Sequence, residues 1–269
     1  NSKTNTSAGF VTGDAWNPMA GIIITPVKGL NVFGSYASTT DLRSAANMME
    51  DNSPVGASRS DQFEAGIKSD WLNNRLRFNL TFFHIMNENL AYAVYDDSWT
   101  ATGKYAKAGN LMRRGIETEL TGRILENFQV IFGYAYLDAK YQDSPAYHEG
   151  SAPMNAPKHT ANGWAHYTVN RGALKGLSLG LGGYYVGERP VNEYTYKATH
   201  TNTTPNVKPF DLDAYTTVNA QIAYAFDKFQ IRGLFNNIFN SMGYTSYYRG
   251  GYINPTDPFN AAAVVSYRF

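Results

Sequence analysis

The sequence predicts an all-β fold: the wall of a transmembrane antiparallel β-barrel, with about eleven strands. Three observations carry this expectation. Apolar and polar residues alternate in segment after segment, as in Gln62–Ser69, where Phe63, Ala65 and Ile67 share one face and Gln62, Glu64, Gly66 and Lys68 the other. Short turns alternate with long polar connections, the pattern of tight periplasmic turns and long extracellular loops. The final segment, Ala261–Phe269, sets Ala263, Val265, Tyr267 and Phe269 against Val264, Ser266 and Arg268. In water such a strand is a sticky edge; in a membrane barrel closure pairs it and lipid receives its apolar face.

In chain order, residues 1–17 are polar and predict a loop, and Met19–Thr25 a short strand. Pro26-Val-Lys-Gly29 is a turn, since proline and glycine each set a backbone angle. Leu30–Ser38 is the second strand, followed by a polar loop from Thr39 to Arg59. After Gln62–Ser69 and the turn Asp70–Asn74, Leu76, Phe78, Leu80 and Phe82 alternate with Arg77, Asn79, Thr81 and Phe83. A long excursion is expected up to Gly103. Next, Ile116, Thr118 and Leu120 oppose Glu117, Glu119 and Thr121. Beyond the turn Leu125–Asn127, one face carries Phe128, Val130, Phe132, Tyr134 and Tyr136, and the other Gln129, Gly133, Ala135 and Asp138. The later strands are His159–Val169, Leu177–Gly187, Thr216–Phe226 and Phe229–Phe239, with loops over Gln142–Pro157, up to Asp211, and over Asn240–Asn260.

Strand parity extends the argument. The last strand follows a long loop, so it runs toward the short-turn side; counted back through eleven strands, the first runs the same way. A complete bacterial barrel has both ends in the periplasm and an even strand count. The favoured expectation is therefore the second half of a larger barrel, with a closed twelve-stranded barrel, seeded at Phe10-Val11, as the alternative.

Composition excludes several function classes. Lys+Arg 23 against Asp+Glu 22 leaves a net charge of +1, without the basic excess of a nucleic-acid binder. With no cysteine, disulfides, thiolate catalysis and cysteine metal sites are ruled out. No apolar run approaches the ~18 residues of a membrane-spanning helix, Gly21-Ile-Ile-Ile24 being the longest aliphatic cluster. The polar opening Asn1–Ser7 does not have the pattern of a signal peptide. Aromatic content of 14%, with Tyr 20 and Phe 15, suits rings placed at two membrane interfaces.

Several stretches resemble the C-terminal half of TonB-dependent outer-membrane receptors of the ferric-siderophore type. These are Trp16-Asn-Pro18, Asp61-Gln-Phe-Glu-Ala-Gly-Ile-Lys68, Arg114-Gly-Ile-Glu-Thr-Glu-Leu120 and Gly133-Tyr-Ala-Tyr-Leu-Asp138. Ala156-Pro-Lys-His159, Gly176–Gly183, Phe235-Asn-Asn-Ile-Phe-Asn240 and the ending Tyr267-Arg-Phe269 complete the set. The resemblance implies a barrel of about 22 strands around a plug, with neither the plug nor the box that docks the energising protein visible in this sequence. It implies active uptake of a ferric siderophore or similar metal chelate, in the outer membrane of a Gram-negative bacterium, with iron arriving only inside its chelator and no cofactor or protein metal ligand. It also implies a TonB-type energising complex as partner, and plug-facing roles for Glu64 and Glu117. These carboxylates fall on the polar face of their strands, where a charge must lie if the other face meets lipid. Tyr267 and Phe269 resemble the terminal signal read by the barrel-insertion machinery. Uptake of another ligand such as cobalamin or a glycan, a passive channel, and a structural or binding barrel in an envelope assembly stay open as alternatives.

Ligand contacts are expected in the long loops. Tyr247, Tyr248, Arg249 and Tyr252 crowd one loop, Tyr194, Tyr196 and His200 another, and Trp99 a third. Aromatic walls with a cation suit an anionic or aromatic chelate; an aromatic girdle at the outer interface explains the same residues. Gly176-Leu-Ser-Leu-Gly180 matches a nucleophile-elbow pattern, but Ser178 sits in an alternating strand rather than at a strand–turn–helix corner. His84, His148, His159, His166 and His200 are scattered without metal-site spacing. No enzyme is expected.

Overall fold

The computed structural model describes residues 15–43, 47–96, 98, 100–199, 202, 204–248 and 252–269. The first half contains β1 (Met19–Val27), β2 (Leu30–Asp41), β3 (Met48–Met49), β4 (Ser58–Trp71), β5 (Leu76–Tyr95), β6 (Ala101–Leu125) and β7 (Phe128–Gln142). There follow β8 (His159–Thr168), β9 (Leu177–Val186), β10 (Arg189–Pro190), β11 (Asp211–Leu212), β12 (Tyr215–Phe226), β13 (Phe229–Asn236), β14 (Tyr244–Tyr248), β15 (Tyr252–Pro255) and β16 (Asn260–Tyr267). One sheet runs β1-β2-β4-β5-β6-β7-β8-β9-β12-β13-β16, each strand antiparallel to the next, so the wall has the expected eleven strands. β3 adds a short parallel pairing to β6, while β10–β11 and β14–β15 are separate small hairpins. Among the described residues β1 and β16 are the two edges and do not pair with each other, so the wall is open. The proposed strand seed Phe10-Val11 lies outside the described residues.

The register sorts the wall into two faces. One row of partners reads Asn31, Lys68, Asn79, Glu119, Gly133, Asn162, Tyr184 and Thr217. A row of the opposite parity reads Phe128, Tyr167, Leu179, Ile222, Gly233 and Ala263. A sheet one layer thick can keep both faces only if one meets water and the other lipid. Exposed Ile22, Phe82, Leu181, Ile231 and Val265 all belong to the apolar face. The short turns sit at one end of the strands and the long connections at the other.

Two expectations need correction. The excursion expected after Phe83 is instead a continuation of the β5–β6 hairpin to Tyr95 and back from Ala101. Its ladder absorbs register shifts around Leu90, where Asn89 (φ 56°) and Gly109 (φ 80°) take left-handed backbone angles. Above the membrane a hairpin needs no apolar face, so alternation fades while the ladder persists. Asp138 lies an even step from Phe128 and therefore shares its face, opposite Arg114. It is 5% exposed, with Lys140 at 2.8 Å and Arg114 at 3.1 Å.

Glycines on the polar face receive flat aromatic rings. A Cβ on Gly180 would fall 2.3 Å from the Trp164 ring, and one on Gly182 2.4 Å from it. Phe33 covers Gly66 and Phe83 covers Gly115 in the same way. Within the run Gly176–Gly183, Gly180 and Gly182 are thus a bed for Trp164, and Ser178 lies buried near the start of β9, paired with Thr168 and Ala223 in the ladder rather than at a strand–turn–helix corner.

Candidate ligand vestibule at the long-loop end

A single-layer wall cannot bury a core, so most of the buried hydrophobic residues collect toward the long-loop end. Ala108, Leu111, Tyr141, Ala146 and Tyr147 form one cluster, with Leu90 and Tyr92 packed on it. The rings of Tyr141 and Tyr147 are 4.1 Å apart. Burial, with further contributions from Tyr141 and Glu193, pushes the Tyr147 phenol above the usual tyrosine range.

Residues 146–151 run beside residues 194–196. His148 N–H donates to the Tyr194 carbonyl (2.9 Å) and Tyr196 N–H to the Ala146 carbonyl (2.8 Å). Tyr194 N–H donates to Ser151 Oγ at 2.8 Å. These ties place the His148 ring between two tyrosines: Tyr194 at 3.6 Å with 9° between planes, and Tyr196 at 3.7 Å with 35°. Beside them Glu193, 7% exposed, accepts from Met154 N–H at 3.2 Å.

The β14–β15 hairpin is tied to the other connections. Asn155 donates to the Tyr247 carbonyl (3.0 Å) and accepts from its N–H (3.2 Å). Arg189, 2% exposed, lies 5.5 Å over the Tyr215 ring and donates from Nη2 to the Tyr244 carbonyl. Tyr215 in turn fills the space that a side chain at Gly243 would need.

Between these connections and the top of the wall lies a cavity of about 360 Å³. Leu137 and Ala139 of β7 form part of its lining, and Tyr194 another part. Its charges are of both signs: Lys158 and Lys208 against Glu149, Glu188 and Asp211. The ion pairs among the described residues are Arg59–Asp61, Arg77–Asp70, Arg114–Asp138 and Lys140–Asp138, none of them in this cavity. Glu149 accepts from Asp143 N–H at 3.1 Å, and the other cavity charges are available to a ligand carrying complementary groups.

The residues singled out from sequence divide. Tyr194 lines the cavity and Tyr196 backs it through His148. Tyr247 is held edge-on to Phe210 (6.4 Å, 85°), and Tyr252 is 70% exposed. Tyr248 pairs with Tyr252 in the β14–β15 backbone. Arg249, His200 and Trp99 lie outside the described residues. Glu64 and Glu117 lie on the polar face of the wall, Glu64 accepting from Gln62 at 2.6 Å and Glu117 bordering a trough with Lys68, Asn79 and Glu119. Of the other inward cations, Lys68 lies 4.9 Å over Phe33 and Arg77 pairs with Asp70 at 3.0 Å. Tyr267 and Phe269 meet edge-on at 5.2 Å, with Tyr267 on the apolar face beside Phe229. Sequence reasoning missed His148, Asn155, Arg189 and the cavity charges. Their contacts join connections up to 92 residues apart, and no local pattern marks them.

A family model described as TonB dependent receptor-like, beta-barrel, matches residues 1–238. The metal-pseudopaline receptor CntO of Pseudomonas aeruginosa is 30% identical over 199 residues, 74% of this chain and 26% of that protein. The ferrioxamine B receptor of Salmonella typhimurium is 26% identical over 207 residues, 77% of this chain and 27% of that protein. Among solved structures, the ferripyoverdine receptor of the Pseudomonas aeruginosa outer membrane, bound to ferripyoverdine, superposes with a TM-score of 0.75 at 21% identity, covering 93% of this chain and 32% of its own. The siderophore receptor PiuA of Acinetobacter baumannii gives 0.72 at 21% identity, over 92% and 35%. At that identity the superpositions speak for the fold alone. The chain spans about a quarter of the length of these curated relatives.

Proposed function

Because this chain belongs to the TonB dependent receptor-like β-barrel family, we propose that it forms wall and outer loops of a Gram-negative outer-membrane receptor for active uptake of a metal chelate. Ferric siderophores are the leading cargo class, in keeping with what the related receptors are named for. The observation that carries the reading is the cavity at the long-loop end, with an aromatic wall at Tyr194 and charges of both signs that have no ion-pair partner among the described residues. A chelate brings carboxylate, hydroxamate or amine groups that such charges can meet, while its metal stays wrapped in its own ligands.

Capture takes place in this vestibule. Lys158 and Lys208 attract anionic groups, the carboxylates select amines, and Tyr194 offers a ring face. Glu64 and Glu117 face a plug inside the barrel, where a carboxylate needs a cation or water to offset its lost hydration. Energy comes from a TonB-type complex acting through the plug. Lipid surrounds the apolar face, and the insertion machinery reads Tyr267 and Phe269. The chain's part is binding and passage rather than covalent chemistry.

The test is deletion of the gene, followed by uptake of a panel of radiolabelled metal chelates under iron limitation. Loss of uptake of at least one chelate is expected, with restoration by the intact gene. In the complemented strain, Lys158→Gln with Lys208→Gln is expected to weaken that chelate's binding by on the order of tenfold or more, the scale of a lost charged hydrogen bond. Unchanged uptake of every chelate after deletion would overturn the reading.

A further inference from the structure

The ends of the wall differ in charge. At the short-turn end Lys28, Arg75, Lys228 and the pair Arg171 and Lys175 occupy four of the five tight connections. Arg123 stands three residues before the fifth connection and Arg268 follows β16, both at positions of polar-face parity, on the inner side of the rim. Against these seven cations the same rim carries Glu126 and Asp227, so 7 − 2 gives an excess of +5 where the whole chain has +1. Arg77 and Asp70 are left out of this sum because they pair with each other. All seven cations are exposed, and none has an ion-pair partner among the described residues.

The rim also lies directly beneath the lower aromatic belt of the apolar face. Trp71, Tyr167, Phe226, Phe229 and Tyr267 are all exposed at this end of their strands. Trp71 satisfies its own indole N–H on Ser69 Oγ at 2.8 Å. Lys228 lies 5.9 Å over the ring of Tyr267, a lipid-face aromatic, so its ammonium is anchored on the outer side of the wall at headgroup level. The turn that carries Arg171 and Lys175 presents an exposed Leu174 between them, an apolar foot flanked by two cations.

From this juxtaposition we infer that the short-turn rim is an interaction surface for anionic phospholipid headgroups of the leaflet it borders. Lipid fits better than a protein partner, because the five turn cations recur turn by turn along the edge, with exposed Val27, Leu72, Leu174 or Tyr267 nearby, instead of gathering into one patch. The phosphates supply the counter-charge that the rim lacks. A cation near an anionic surface is worth about fivefold in local lipid concentration, falling with ionic strength. The inference rests on the lipid-facing reading of the wall and is independent of the cargo.

The test uses the full receptor in nanodiscs of phosphatidylcholine containing a minor fraction of spin-labelled phosphatidylglycerol, with spin-labelled phosphatidylcholine as reference. The motion-restricted fraction around the receptor is expected to favour phosphatidylglycerol at low salt and to lose that preference at high salt. A variant with Lys28, Arg171, Lys175 and Lys228 each changed to Gln is expected to lose it at low salt as well, while chelate uptake and folding stay unchanged. Equal restriction of the two lipids around the wild-type receptor at low salt would overturn the inference. So would a preference that the fourfold variant retains.

Discussion

Trp164 shows how a single residue shapes the polar face. Its ring lies across the backbone of the next strand, and that strand supplies glycine at 180 and 182 to admit it. A flat ring leaves the interior clear, whereas a ring standing off the wall would protrude into it. The substitution Gly180→Ala should therefore displace the ring and cost about 1–3 kcal/mol by overpacking. Gly34→Ala, whose new Cβ would meet nothing nearer than 3.9 Å, should be close to neutral. Urea unfolding from lipid vesicles, followed by tryptophan fluorescence, separates the two. Arg189 is the opposite case, a residue whose neighbours decide everything. In sequence it is one more arginine; in the fold it is buried, held by a ring and a carbonyl, with Nη1 left without a hydrogen-bond partner among the described residues.

Among the elements, the β14–β15 hairpin depends on side chains from other connections rather than on the wall. Through its side-chain amide Asn155 makes two hydrogen bonds to the Tyr247 backbone, donating to its carbonyl and accepting from its N–H. Replacing it with alanine removes both while leaving the wall ladder intact. Amide exchange at Tyr247 should then speed up by on the order of tenfold or more, for a loss of about 1–3 kcal/mol in local stability. Exchange in β12 and β13 should stay as in the wild type; equal protection of Tyr247 in both proteins would refute the tie. The long β5–β6 hairpin differs, since its own ladder carries it past the membrane and only its bulges at Asn89 and Gly109 depend on special backbone angles.

At the scale of the whole molecule, stability comes from the match between two faces and two solvents. Leu181 and Gln221 lie on neighbouring wall strands with opposite parity. Leu181→Arg places a charge on the lipid face and should cost about 2–4 kcal/mol near the bilayer midplane, whereas Gln221→Arg on the polar face should cost little. Folding yields into vesicles across a urea series test this, and equal costs at the two sites would contradict the assignment of faces. The same logic explains where the buried residues collect. With the wall one layer thick, apolar packing is concentrated where the upper β5–β6 hairpin meets the connection after β7, and the candidate cavity lies among the connections beyond β7.

The sequence by itself determined the strands, their faces and the distinction between the two ends, because period-two alternation and turn chemistry are local and each strand pairs with its neighbour in the wall. Glu64, Glu117 and Tyr267 landed on the faces their parity dictated. Parity places Asp138 on the Phe128 face rather than the opposite one, and the β5–β6 extension is hidden in the sequence because polar strand above a membrane looks like loop. The vestibule was only partly legible. Tyrosine-rich loops marked the region, but the tertiary structure alone set His148 between Tyr194 and Tyr196, joined Asn155 to Tyr247 and buried Arg189. Those contacts link connections distant in sequence, and their geometry is fixed by the spacing of the strands that carry them rather than by any periodicity in the loops.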